Sequence, residues 1–280
     1  FDPASGADLD LRRSQLEQLT AGFQEILAQV SSLAEDSALR GIHNLMEATV
    51  RTSYFLGLER ISFKLDSRAV SEMPEPRPLY EIAVAAPGVE GTHLRGGLVA
   101  RGGIRWSDRE DDFRSEVLGL LKTQMTKNAV IVPVGSKGGF VVRNAPAGRD
   151  ELREYVREQY QTYIRGLLDL TDNMVQGELV QPAGLVIWDG ADPYLVVAAD
   201  KGTATFSDLA NATAAEYGFW LSDAFASGGS HGYDHKSQGI TARGAWQTVS
   251  RHFRELGIDV KKDTFTAAGI GDMAGDVFGN

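Results

Sequence analysis

Three prolines, Pro74, Pro76 and Pro78, divide this chain into two textures. No helix runs through prolines at alternate positions, because each removes a backbone donor and clashes with the preceding turn. Before them apolar residues recur at helical spacing. Leu16, Leu19, Phe23, Ile26, Leu27, Val30 and Leu33 do so over 11–33, and Leu39, Ile42, Leu45, Met46, Thr49 and Val50 over 37–56. After the prolines short apolar runs alternate with helical ones. Residues 81–86 and 98–100 read as strands and 116–129 as a helix. The runs 130–134 and 140–142 flank a glycine-rich loop, and 150–168 reads as a helix. Residues 185–188 and 194–199 read as buried strands. Ser207 is placed to cap a helix through Tyr217, and 240–256 carries Trp246, Val249, Phe253 and Leu256 on one face. Strands alternating with helices predict an α/β domain with a largely parallel sheet behind a helical N-terminal arm.

Composition narrows the partners. With 280 residues, 42% of them hydrophobic and 24% charged, the chain has enough apolar mass for a core without staples. It has no cysteine, which excludes disulfides and thiolate chemistry and suits a reducing, cytoplasmic setting. A formal charge of −10 argues against nucleic acid or an anionic membrane as partner. No apolar run approaches the roughly 20 residues of a membrane span. His231 and His235 have the spacing of a metal pair, but Gly232 and Tyr233 between them argue against the helix such a site wants, so no metal is expected. The start, Phe1-Asp2-Pro3, has neither methionine nor a signal pattern and reads as the interior of a longer protein.

Near the end, residues 265–268 read as a strand entering Gly269-Ile270-Gly271-Asp272-Met273-Ala274. A strand followed by G-x-G-x-x-A opens a dinucleotide-binding unit, since glycines let the backbone approach a pyrophosphate. The expected organisation is a helical arm over 1–75, a substrate-binding α/β domain over 76–256, and the truncated start of a Rossmann-like domain over 257–280.

Four segments carry charge to where a ligand could sit. Arg101 precedes two glycines after a strand. Gln124 and Lys127 share a helix face. Lys137 lies in Gly135-Ser136-Lys137-Gly138-Gly139, where the glycines remove side chains that would keep a substrate away. A cation so presented can polarise a carbonyl. Asp200 ends an apolar strand, and carboxyl ends of strands are where ligands bind in open α/β sheets. Two or three cations with one carboxylate suit a substrate with two carboxylates and a carbonyl. Each also has a plainer reading: a loop lysine, a solvated helix face, a helix cap or partner for Lys201 at Asp200, and a surface ion pair at Arg101.

Taken in order, Arg101-Gly-Gly-Ile-Arg-Trp106, Gln124-x-x-Lys127-Asn128, Pro133-x-Gly-x-Lys137-Gly-Gly139, Ala198-Ala-Asp200, Gly239-Ile-Thr241 and the glycine fingerprint resemble the glutamate/leucine/phenylalanine/valine dehydrogenase superfamily. Longer runs, such as 99–109, 198–208 and 269–279, are similar to the very large NAD-specific glutamate dehydrogenases of bacteria. The resemblance implies that Lys137 is the catalytic lysine that polarises the 2-oxo group. It implies that Asp200 is the acid/base serving the amino nitrogen, a role that some desolvation would help. Lys127 with Gln124 would hold the α-carboxylate, and Arg101 would hold the γ-carboxylate. Thr241, Gly269, Gly271 and Ala274 would meet NAD.

The activity implied is NAD-dependent oxidative deamination of L-glutamate to 2-oxoglutarate and ammonium, by a homo-oligomer. The alternatives are a dehydrogenase for another amino acid, disfavoured by the cation at Arg101, or an inactive dicarboxylate-binding sensor domain.

Overall fold

A computed structural model of the chain describes residues 2–127, 134–233 and 235–269. It divides into two compact units, 1–227 and 228–280.

In the first unit, α1 (Leu9–Leu27) and α2 (Leu33–Ala48) are the expected helices, capped by the side chains of Asp8 and Ser32. The expected arm then departs from helix. Residues 49–52 form β1 (Thr49–Thr52) and 61–66 form β2 (Ile61–Asp66), and both join the sheet. The sheet continues with β3 (Tyr80–Ala86), β4 (Val89–Arg95), β5 (Ala100–Arg101) and β6 (Gly103–Trp106). After α3 (Phe113–Lys127) come β7 (Val134–Val142) and α4 (Arg149–Leu168). A small separate hairpin, β8 (Asn173–Val175) with β9 (Glu178–Val180), precedes β10 (Ala198–Ala199) and α5 (Ser207–Glu216). Residues 185–188, read as a strand, have no regular structure, and of 194–199 only the last two residues are strand.

The class is α/β and the sheet is mixed, in the order β1-β2-β3-β4-β7-β6-β10 with β5 on β7. The pairs from β1 to β7 are antiparallel. The pairs β6/β7, β5/β7 and β10/β6 are parallel. The difference follows from connection length. A two-residue link after Ala86 can only return antiparallel, whereas a parallel return needs a crossover such as α3.

Register assigns side chains to faces. Lys64, Ile82, His93, Gly138 and Ile104 lie opposite one another across five strands and share a face. That face is covered by α4 and α5, whose Tyr160, Tyr163, Ile164, Leu167, Ala210 and Ala214 join Ile82, Ile104 and Phe140 in the main core. The other face takes α3, which packs Val117, Leu118 and Leu121 on Leu94.

The second unit holds α6 (His235–Gln238) and α7 (Ile240–Glu255), the latter matching the expected helix. None of its described residues is buried. Residues 264–269, expected to begin as a strand, have no regular structure, since the described residues of this unit offer no strand to pair with. No described helix is long and apolar enough to cross a membrane.

Candidate active site

Lys137 sits inside β7, not in a loop, and pairs across the ladder with Leu94. Its neighbouring glycines are therefore not turn residues, and none of Gly135, Gly138 and Gly139 has a positive φ. They mark close approach. A Cβ on Gly135 would lie 2.3 Å from the Gln124 carbonyl oxygen, one on Gly138 2.9 Å from Ile104, and one on Gly139 2.4 Å from Val117. The glycines let α3 and β6 press onto the strand that carries the lysine.

The adjoining strand follows the same logic. A Cβ on Gly102 would meet the Ser136 carbonyl oxygen at 1.6 Å, and one on Gly103 would be 3.1 Å from the Asp200 Cβ. With Arg101 opposite Gly135 and Arg105 opposite Gly139, the register puts Arg101, Gly103 and Arg105 on the face that Lys137 shares. The result is a sheet floor of glycine carrying a few long polar side chains.

Asp200 arrives from β10, which runs parallel to β6. Its turn is fastened twice: the Asp200 N–H donates to Thr203 Oγ1 at 3.0 Å, and the Thr203 hydroxyl donates to the Ile104 carbonyl at 2.7 Å. Gly202 completes the turn at φ 81, and a Cβ there would also lie 2.9 Å from that of Trp106. So held, Asp200 Oδ2 meets Lys137 Nζ at 2.5 Å and Arg105 Nε at 3.3 Å. Arg105 in turn donates to Glu116 of α3 at 2.7 Å, and the Ser107 hydroxyl donates to the other Glu116 oxygen at 2.6 Å.

The electrostatics correct one expectation. Burial does push the Asp200 carboxyl upward, but the hydrogen bond and charge of Lys137, the Lys201 N–H and the charge of Arg105 together hold it below the ordinary carboxylate value. Asp200 is a fixed carboxylate here. Glu116 is also low: burial opposes ionisation, while Ser107 and Arg105 favour it.

Of the residues singled out in the sequence, Lys137 and Asp200 are in direct contact. Gln124 is half-buried on α3, its side chain running past Gly135. Lys127 is the last residue of α3. Thr241 and Gly269 belong to the second unit, where both are exposed. Gly271 and Ala274 lie outside the described residues. Arg105, Ser107 and Glu116 were missed, although the signal was present. Arg105 follows Arg101 at an even spacing that keeps both on one face of an extended chain, and Glu116 lies on the helical stripe that runs through Leu120 to Gln124 and Lys127. Among the described residues no group of three or more His, Asp or Glu could hold a metal ion.

The family described as bacterial NAD-glutamate dehydrogenase, catalytic domain, matches residues 22–280. The chain is 59% identical to the NAD-specific glutamate dehydrogenase of Pseudomonas aeruginosa, over 98% of this chain and 17% of that protein. It is 55% identical to the protein of the same name from Halomonas elongata, over 100% of this chain and 18% of that one. For the Mycobacterium tuberculosis protein the identity is 58%, over 89% and 16%. The chain thus spans 16–18% of the length of these relatives.

Proposed function

The chain belongs to the bacterial NAD-glutamate dehydrogenase catalytic-domain family, and from that premise we propose that it carries the amino-acid site for oxidative deamination of L-glutamate. The balanced reaction consumes glutamate, water and NAD, and yields 2-oxoglutarate, ammonium, NADH and a proton. The observation that carries this reading is the Lys137–Asp200 pair at 2.5 Å on a glycine floor. Both groups of the proton chemistry are already in contact.

Lys137 is the group that turns to the oxygen forming on the α-carbon, where an ammonium stabilises developing negative charge. Doing so releases Asp200, an ionised carboxylate, to take a proton from the amino nitrogen or from attacking water. Arg101 meets the γ-carboxylate, and Gln124 with Lys127 meets the α-carboxylate. NAD, when bound, supplies the hydride acceptor. Thr241 and Gly269, with Gly271 and Ala274, are the residues to hold it, and the first two are exposed, as contact with a large polar cofactor requires.

The test is NADH formation from L-glutamate by the full-length protein, with leucine as the competing substrate. Glutamate-dependent NADH that disappears in Lys137→Ala supports the reading. Saturable 2-oxoglutarate binding without any NADH would replace it with a sensor. The side-chain assignment has its own check: Arg101→Leu should lower kcat/KM for glutamate far more than Arg101→Lys, and equal losses would remove Arg101 from the site.

A further inference from the structure

Lys137 has two tasks that conflict. In the arrangement described, its Nζ is the counter-ion of Asp200, and in the proposed reaction the same Nζ serves the substrate oxygen. Once it turns away, a carboxylate with only 21% of its side chain exposed would lose its nearest cation. Such a group would tend to take up a proton early or to move.

Arg105 answers that problem. It reaches the same Asp200 oxygen, Oδ2, at 3.3 Å, from β6, the strand between β7 and β10. It is itself held in place. Its Nη1 donates to Glu116 at 2.7 Å, and Glu116 is fixed from its other oxygen by the buried Ser107. The guanidinium is thus shared between two carboxylates, one on the sheet and one on α3. Lys137 comes from β7. Lys201, in its own turn, sends its side chain to Asp108 at 3.3 Å, and Arg101 lies on β5, which pairs with β7.

We propose that Arg105 is a positioning residue that holds Asp200 after Lys137 has turned to substrate, and that Glu116 sets how much of the Arg105 charge Asp200 feels. The proposal rests on the dehydrogenase reading above. It makes Arg105 a retained counter-ion and not a ligand for glutamate. It also gives the two partners opposite effects on one quantity. Without Arg105 the carboxylate binds its proton more readily. Without the Glu116 charge, Arg105 is less neutralised and Asp200 binds its proton less readily.

The experiment is the pH profile of kcat for glutamate in the full-length enzyme, read on its acid limb, which reports the substrate-bound state in which Lys137 has turned. Arg105→Met should move that limb up by about one pH unit. Glu116→Gln should move it down by a smaller amount. Arg105→Lys should restore most of the original profile, since it returns the charge. In the double variant the Glu116→Gln shift should shrink to the small direct effect of one carboxylate on the other, because Glu116 acts mainly through Arg105. Shifts in the same direction, no shift, or a Glu116→Gln shift that is undiminished without Arg105 would overturn the proposal. If Arg105→Met is too slow to profile, Glu116→Gln alone decides, and a limb that stays put or rises overturns it. Loss of the parent reading would show differently, as a wild-type protein with no glutamate-dependent NADH.

Discussion

His93 lies inside the helix-covered face of the sheet, fully buried, and neither ring nitrogen has a hydrogen-bond partner among the described residues. Burial, and then the charge of Arg95, hold its pKa down from 6.5 to about 3. A folded-state pKa below the unfolded one means the stability is present above pH 6.5 and is lost as pH falls toward 3, at about 1.4 kcal/mol per unit. Urea unfolding at pH 7 and pH 5.5 should therefore differ by about 1 kcal/mol more in the wild type than in His93→Leu. An identical difference in both proteins would assign the pH dependence to other groups. The glycines make a second residue-scale prediction. Gly102→Ala places a methyl into the Ser136 carbonyl beside Lys137, and should cost about 1–3 kcal/mol and lower the melting temperature. Lys137 was legible because glycine flanked it, but those glycines lie in a strand and not in the expected loop. Nothing in a single sequence separates a glycine needed for a turn from one needed for close packing. Arg105 escaped notice because its own motif supplied a more familiar cation at Arg101.

At the scale of elements, β1, β2 and β4 were the hardest to read, and one cluster explains why. Arg51, Lys64 and Arg95 point from these strands into the interior. Arg51 pairs with Asp172 at 2.6 Å and Asp189 at 2.5 Å, Lys64 with Asp189 and with Asp192 at 2.6 Å, and Arg95 with Asp192. Strands that carry arginine and lysine inward show no apolar alternation, so the usual signal is absent. The carboxylates that make this burial tolerable come from a segment 121 or more residues away from Arg51, beyond the reach of any local pattern. The same network ties the 169–194 segment to the sheet just before β10, since Arg95 also donates to the Tyr194 carbonyl at 2.9 Å. Asp192→Ala takes the carboxylate partner from buried Arg95 and one of two from Lys64, and should destabilise the chain by about 3–5 kcal/mol in denaturant unfolding. The Asp192 carboxyl itself, lowered to about 2 against the push of burial, contributes stability that is lost only as pH falls from 3.8 toward 2. The helices were easier to read. α2, α4 and α7 follow their periodicity, while Ser207, expected as a cap, is the first helical residue of α5 and donates to the Ser227 carbonyl at 2.9 Å.

At the scale of the whole molecule, every buried cluster lies in residues 1–227, and the described part of the second unit has none. A chain ending at Ser227 should therefore unfold in one cooperative transition, and a 228–280 peptide should show none. Calorimetry of the two pieces checks this. The arrangement of the sheet also sets an order in time. Its antiparallel half is built from neighbours in sequence, such as β3 and β4. Its parallel half joins Arg105 to Asp200, 95 residues apart. Contacts of long sequence separation form late, because the chain must close large loops first. The reacting groups straddle that late seam, so refolding should recover far-UV signal before the environment of Trp106, whose backbone N–H donates to the Lys201 carbonyl at 3.1 Å across it. A nascent chain would then acquire its scaffold first and its chemistry last, with no reactive centre assembled until nearly all of residues 1–227 had been synthesised.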